Sequence, residues 1–261
     1  MKRTLITPKM AEIPVEYHPL FEGNNIYDSS CSPFAKVYYI EKDGGYFLKR
    51  SEKGSLEKEA LLTSYFAKKG LSAKVCSYIS EGEDWLLTER VRGEDCTYSK
   101  YLEQPERLCD TLAETLKALH SMDFSDCPVQ NKTADYLAVA EKNYRAGMFD
   151  PSYCMPDMRV ANADEARNII TEKGHLLKTD TLLHGDYCLP NILLEDWRLS
   201  GFIDLGGAGV GEKHIDLYWG AWTLNFNLKT DKYRNRFFDC YGRDEVDEEL
   251  ISLIGVIETF G

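Results

Sequence analysis

No two cysteines in this chain stand closer than Cys96 and Cys109, thirteen positions apart, so zinc-ligand and CxxC redox spacings are missing. The start, Met1-Lys2-Arg3-Thr4-Leu5-Ile6-Thr7-Pro8-Lys9, carries basic residues with no apolar stretch behind them, which is not the pattern of a signal peptide. The eight cysteines are therefore expected to be reduced thiols of a cytoplasmic protein, packed as small buried hydrophobes. No apolar run approaches the roughly 18 residues of a membrane span. Basic charge is short as well: 31 Lys and Arg against 43 Asp and Glu leave a net charge of −12. That argues against a nucleic-acid scaffold or a binder of anionic membranes, since both need a basic surface. Repeats, low-complexity tracts and any Walker A motif are missing too, so this is not a P-loop NTPase.

What is present fits a globular chain. Hydrophobic residues make up 43% and aromatics 12%, enough for a core, and 261 residues allow one or two domains. Lys36–Ile40 and Tyr46–Arg50 read as strands joined by the hairpin signal Asp43-Gly44-Gly45. A helix capped by Ser55 carries Leu56, Ala60, Leu62 and Phe66 and stops at Gly70; a strand follows at Trp85–Thr88. Beyond Gly93 the pattern turns helical. Pro105 opens a helix with Leu108, Leu112, Leu116 and Leu119 on one face, and residues 133–148 form a weaker one. Asp150–Ala163 reads as a long loop, with Asp164 starting the next helix. Short strands are expected at Thr181–His184, Ile192–Leu194 and Leu199–Leu205, and Asp231 and Asp244 as caps of the last helices.

The most informative segment is His184-Gly185-Asp186-Tyr187-Cys188-Leu189-Pro190-Asn191, followed by Phe202-Ile203-Asp204-Leu205-Gly206. Phosphoryl transfer from a nucleotide to a hydroxyl needs these parts in this order. One carboxylate, Asp186, orients the alcohol and takes its proton. A neutral amide, Asn191, and a second carboxylate, Asp204, hold Mg²⁺ against the phosphates. Asn suits a ligand position where another negative charge would repel the triphosphate, and glycine after Asp204 lets the backbone turn beside the metal. His184, just before the catalytic Asp, reads as a satisfied structural histidine.

This pair of motifs resembles the signature of the aminoglycoside phosphotransferases, which share the protein-kinase-like fold, and is most similar to the 3′-phosphotransferase branch. Ser32-Pro33-Phe34-Ala35-Lys36-Val37-Tyr38, Ser200–Gly206 and Glu258-Thr259-Phe260 carry the same likeness, which spans nearly the whole chain. The resemblance implies an α+β, bilobal fold, with a β-rich nucleotide-binding lobe over residues 1–92 and a mainly helical catalytic and substrate-binding lobe over 93–261. ATP and Mg²⁺ are the implied cofactors. Lys49 matches the lysine that grips the phosphates, and Glu59 the glutamate that pairs with it. Glu57 lies about 160° away on the helix (at roughly 100° per residue) and cannot share that role. Phe47, on the same strand face as Lys49, is placed to stack on adenine. Glu89 and Val91 match the hinge whose backbone meets the adenine edge, and Ser32 lies in the loop that covers the phosphates, which is no GxGxxG loop. Asp216 matches a brace of the catalytic loop.

The implied acceptor is a cationic aminoglycoside, held by acids of the mid-chain loop and the C-terminus. Asp157, Glu258 and the end of the chain at Phe260 are the candidates, with Asp150, Asp164 and Glu165 beside them. Trp222, Phe226 and Asn227 depart from the branch, which has charged residues there; the two rings either face the ligand and make its pocket more apolar or pack the helix, and packing is the expected role. A monomer or weak dimer is expected, with no nucleic-acid or membrane partner. A kinase of the same fold acting on another alcohol, such as choline, a sugar or a different antibiotic, is the alternative. A protein kinase is disfavoured because twelve positions between Asp204 and Asp216 leave no activation segment. A non-catalytic nucleotide binder is disfavoured because Lys49, Asp186, Asn191 and Asp204 are all present.

Overall fold

The computed structural model describes residues 3–154 and 159–261. In chain order, the first half comprises β1 (Thr4–Ile6), α1 (His18–Phe21), β2 (Asn25–Asp28), β3 (Lys36–Glu41), β4 (Tyr46–Glu52), α2 (Glu57–Lys68), β5 (Val75–Glu81), β6 (Glu83–Glu89) and β7 (Glu94–Asp95). There follow α3 (Ser99–Leu102), α4 (Pro105–His120), α5 (Lys132–Arg145), α6 (Ala163–Lys173), β8 (Thr181–Leu183), β9 (Ile192–Glu195), β10 (Arg198–Phe202), β11 (Gly209–Gly211), α7 (His214–Leu228), α8 (Tyr233–Gly242) and α9 (Glu248–Glu258). The class is α+β. Among the described residues no helix is long and apolar enough to cross a membrane.

The chain divides into two compact units, Met1–Asp95 with Ile192–Gly206, and Cys96–Asn191 with Gly207–Gly261. The sequence reading puts Ile192–Gly206 with the second half of the chain. It joins the first unit because β9 pairs with both β7 and β10, and because Phe202 N–H donates to the Leu71 carbonyl at 2.7 Å.

The first unit is built on an antiparallel six-stranded sheet in the order β1-β2-β3-β4-β6-β5. Strand alternation sorts its side chains between two faces. Leu48, Trp85 and Leu87 pack with Ile13, Tyr17, Phe21, Ile26, Tyr38 and Ile40 on one side. Leu86 packs against Leu56 and Ala60, at the start of α2, on the other. The β3–β4 turn works because Asp43, Gly44 and Gly45 adopt φ of 46°, 98° and 104°, a region that favours glycine.

Helix α2 does not start as expected. Ser55 Oγ donates to the Glu52 carbonyl, and the orphan amide of Leu56 donates instead to the buried carboxylate of Asp84, far away in sequence on β6, at 2.9 Å. The helix ends at Gly70, φ 74°, with Leu71 N–H returning to the Phe66 carbonyl.

The second unit is helical, with α4 against α8, and α7 against α8 and α9. Leu108, Leu112, Leu116 and Leu119 of α4 are buried with Phe237, Phe238 and Tyr241 of α8. Gly220 of α7 lets the Phe237 ring approach, since a Cβ there would lie 2.5 Å from its Cζ. The true caps differ from the expected ones by a few residues: Asn162 caps α6 rather than Asp164, and Asp247 caps α9 rather than Asp244. The cysteines also divide. Cys96, Cys109 and Cys127 are buried, but Cys31, Cys76 and Cys240 are exposed, so the expectation of eight buried thiols fails.

Candidate active site

In the first unit, alternation along β4 sends Leu48 into the core and turns Phe47 and Lys49 to the opposite face, where α2 runs. Lys49 Nζ donates to both carboxylate oxygens of Glu59, at 3.0 and 2.8 Å, and to Asp204 Oδ1 at 2.7 Å. Glu59, and not Glu57, meets the lysine. Burial presses the Lys49 ammonium towards its neutral form, but the carboxylates of Asp204 and Glu59 outweigh it and hold the group well above the ordinary lysine range. The site thus keeps a fixed cation beside a half-exposed Asp204, whose own backbone sits at φ 56°.

Phe47 lies against Tyr39, centroids 5.1 Å apart, with the Arg3 guanidinium over both rings. Ser32 is exposed in the loop between β2 and β3, where its Oγ accepts from Phe34 N–H. That loop is tied down by Ser30 Oγ, which accepts from Val37 N–H, and by an ion pair between Lys36 and Asp28. Glu89 ends β6 with its N–H given to the Lys74 carbonyl, and Val91 is buried just after it.

In the second unit, β8 delivers the chain into the His184–Asn191 loop. Gly185 is obligatory there: its φ is 82°, and a Cβ would meet the Gly207 carbonyl oxygen at 1.9 Å. Asp216, wholly buried, accepts from His184 N–H and Gly185 N–H, both at 2.7 Å, and pairs with His120 at 3.3 Å. His184 is buried and its Nδ1 accepts from Asp186 N–H. Asn191 Nδ2 donates to the Asp186 carboxylate at 2.8 Å and to its carbonyl at 3.1 Å. The loop is further held by Tyr187 O–H on the Leu112 carbonyl and by Leu189 N–H on Thr223 Oγ1. The half-buried Asp186 carboxylate is therefore aimed before any ligand arrives. Beside it, burial and the charge of Asp186 push the Cys188 thiol far above its usual range, so it stays protonated.

The expected acceptor residues fare unevenly. Glu258 is buried and accepts from Tyr136 O–H at 2.7 Å and Trp219 Nε1–H at 2.9 Å. Burial pushes its carboxyl up to about 7, and the nearby Asp186 charge adds to this. The Phe260 side chain is buried against Tyr144 and Phe149, and its carbonyl accepts from Asn143 Nδ2. Asp150, Asp164 and Glu165 are engaged locally: Asp150 accepts from Ser152 N–H, Asp164 from Tyr144 O–H, and Glu165 from Ala161 N–H. Asp157 lies outside the described residues. Trp222 is half-buried and Phe226 exposed, so the expectation that both pack the helix core does not hold. Sequence reasoning missed Asp84, which seats α2, and also Trp219 and Tyr136, which hold Glu258. Trp219 had a readable signal, a three- and four-residue spacing to Trp222 and Phe226. Asp84 had none, because its partner is distant in sequence.

Asn191, which ends a segment of the second unit, carries an amide oxygen, and Asp204, in the first unit, a carboxylate, each a donor of the hard kind that Mg²⁺ prefers. Among the described residues no group of three or more His, Cys, Asp or Glu side chains is placed to hold a metal ion by itself.

The profile of the "Phosphotransferase enzyme family" matches residues 34–250. A relative from Lactococcus lactis subsp. lactis, named "Probable aminoglycoside 3'-phosphotransferase", is 47% identical over 251 residues, covering 96% of this chain and 95% of the other. Among solved structures, the type VIII aminoglycoside-3'-phosphotransferase superposes with a TM-score of 0.76 at 22% identity, covering 97% of this chain and 99% of that one. Aminoglycoside phosphotransferase APH(3'')-Id from Streptomyces rimosus, in complex with ADP and streptomycin, gives 0.71 at 20% identity over 86% and 90%.

Proposed function

This chain belongs to the phosphotransferase enzyme family, and from that premise we propose that it moves the γ-phosphoryl group of ATP to the 3′-hydroxyl of an aminoglycoside, in the cytoplasm. The observation that carries the reading is the Asp186 carboxylate, held by Asn191 on a loop whose two amides are pinned by buried Asp216. In this reading the first unit binds the nucleotide and the second holds the catalytic base and the acceptor.

Phosphoryl transfer asks the protein mainly for alignment and charge neutralisation. Asp186 accepts a hydrogen bond from the acceptor hydroxyl, orients its oxygen, and takes the proton as the bond to phosphorus forms. Lys49, kept protonated by Glu59 and Asp204, is the cation for the phosphate oxygens. Asn191 and Asp204 are the oxygen donors that would hold Mg²⁺. Bound magnesium supplies charge neutralisation and fixes the phosphate oxygens for in-line transfer. Phe47 offers a face to adenine, and the carbonyl of Glu89 with the backbone of Val91 offers an edge. Ser32 stands in the loop that covers the phosphates. Glu258 and the chain end at Phe260 receive the cationic acceptor, and so would Asp157.

The test is ATP-dependent phosphorylation of kanamycin. Asp186→Ala should abolish turnover while ATP binding, read by calorimetry, stays within a few-fold of wild type. Turnover near the wild-type rate would remove Asp186 as the base. Tobramycin, which lacks the 3′-hydroxyl, should not be phosphorylated; if it is, the site of transfer is a different hydroxyl.

A further inference from the structure

Asn227, in the last turn of α7, has no part in the chemistry above, yet its side chain is committed. Its Nδ2 turns back along the helix and donates to the Thr223 carbonyl at 2.8 Å and to Thr223 Oγ1 at 3.2 Å. Thr223 is 1% exposed, and the same Oγ1 accepts from Leu189 N–H at 3.1 Å. Leu189 is buried as well and opens the short turn Leu189–Asn191, which ends on the partner of Asp186. The Leu189 carbonyl accepts from Cys96 N–H at 3.1 Å, so this peptide is held on both sides.

Counting protons and lone pairs gives the contact a direction. A threonine hydroxyl has two lone pairs and one proton. Leu189 N–H and Asn227 Nδ2–H fill both lone pairs, which leaves the proton of Thr223 free to be given elsewhere. It goes to the Cys188 sulfur, and the Cys188 thiol, which stays protonated, donates in turn to the Asp186 carboxylate. Four side chains thus donate in one sense, from Asn227 through Thr223 and Cys188 to Asp186. Thr223 also stands seven residues after Asp216, about two turns along α7, so both face the same way. Asp216 takes the amides of His184 and Gly185, just before Asp186, and Thr223 takes that of Leu189, just after it.

We propose that Thr223, backed by Asn227, is a positioning residue for phosphoryl transfer: it holds the Leu189 amide and the Cys188 thiol so that the Asp186 carboxylate keeps its direction towards the acceptor hydroxyl. This rests on the reading of Asp186 as the base. Helix α7 then grips the His184–Asn191 loop at both ends, with Asp216 at the entry and Thr223 at the exit. Transfer depends on alignment, so a base released at one end stays present but works more slowly.

Steady-state kinetics of the whole protein with kanamycin and ATP test this in wild type, Thr223→Val, Thr223→Ser and Asn227→Ala. Valine keeps the branched shape without the hydroxyl, and should lower kcat about tenfold with both KM values within about twofold of wild type. Serine restores the hydroxyl and should bring kcat back to within about threefold, although it lacks a buried methyl and melts lower. The rate then follows the hydroxyl and not the melting temperature. Asn227→Ala, at a half-buried position, should lower kcat several-fold at unchanged KM. A raised kanamycin KM at unchanged kcat would instead make Asn227 an acceptor contact and remove it from the proposal. Wild-type kcat in Thr223→Val overturns the proposal. Hydrogen exchange of the His184–Asn191 amides, without ligand, supplies a second reading. Exchange should be faster in Thr223→Val than in wild type and not in Thr223→Ser; equal rates in all three overturn the tie. Because that measurement needs no acceptor, a wild type that phosphorylates no aminoglycoside overturns the acceptor reading, and exchange still decides whether Thr223 holds the loop.

Discussion

Glu258 is the residue where burial and chemistry conflict most openly. Removing its carboxyl from water is the dominant influence and lifts it to about 7, against the hydrogen bonds donated by Tyr136 and Trp219. Because the folded-state value lies above the ordinary 4.5, its contribution to stability is complete below that ordinary value. It is lost as pH rises through about 7, and the full difference is worth about 3 kcal/mol. Glu258→Gln removes the titration. The variant should lose less melting temperature than wild type between pH 5 and pH 8.5, by several degrees in differential scanning calorimetry. Parallel curves for the two proteins would show that Glu258 is not the group responsible.

At the scale of elements, the position of Glu59 is decided by Asp84. Its carboxylate takes the Leu56 amide at the head of α2 and also accepts from Tyr78 O–H at 2.9 Å and Ser80 O–H at 2.6 Å. Asp84→Ala strips the helix of its only described side-chain cap and leaves those donors without an acceptor. The cap alone is worth about 1 kcal/mol and each unmet buried donor about as much again, so a loss of about 2–3 kcal/mol is expected in urea unfolding. As α2 loosens, Glu59 should hold Lys49 less well, and the ATP KM should rise several-fold while the kanamycin KM changes little. A variant as stable as wild type would mean that α2 is seated by packing on Leu56, Ala60 and Leu86 alone. In the second unit the comparable device is Asp216, which reaches from α7 to two amides of the His184–Asn191 loop.

For the molecule as a whole, the surplus of acids has a consequence in solution. A net charge of −12 draws a polycationic acceptor at long range, and salt screens that attraction over about 10 Å at 0.1 M. Raising NaCl from 50 to 300 mM should increase the kanamycin KM several-fold and leave kcat nearly unchanged. Salt-independent binding would place recognition wholly in short-range contacts. Surface pairs such as Arg236 with Asp110, at 2.6 Å, and Arg243 with Asp239, at 2.8 Å, consume some of that acid surplus but are exposed and add little stability.

The amino-acid sequence by itself determined the chemistry. Strand alternation put Phe47 and Lys49 on one face, helical periodicity kept Glu57 and Glu59 from sharing a face while the family resemblance pointed to Glu59, and the spacing of Asp186, Asn191 and Asp204 announced phosphoryl transfer. Those are local relations, set by backbone periods that hold wherever the chain goes. Only the tertiary structure decided what depends on distant partners. Asp84 takes the amide of Leu56, 28 positions before it in sequence at the head of α2, Ile192–Gly206 joins the first unit through pairing with β7, and Glu258 becomes an acid of raised affinity for its proton because the fold buries it, against the hydrogen bonds from Tyr136 and Trp219. Trp222 and Phe226 make the same point from the other side. Their spacing was plain, but whether a helical stripe faces core or solvent depends on what packs against the helix; here Phe237 of α8 packs against α7 at Gly220, and Phe226 stays exposed.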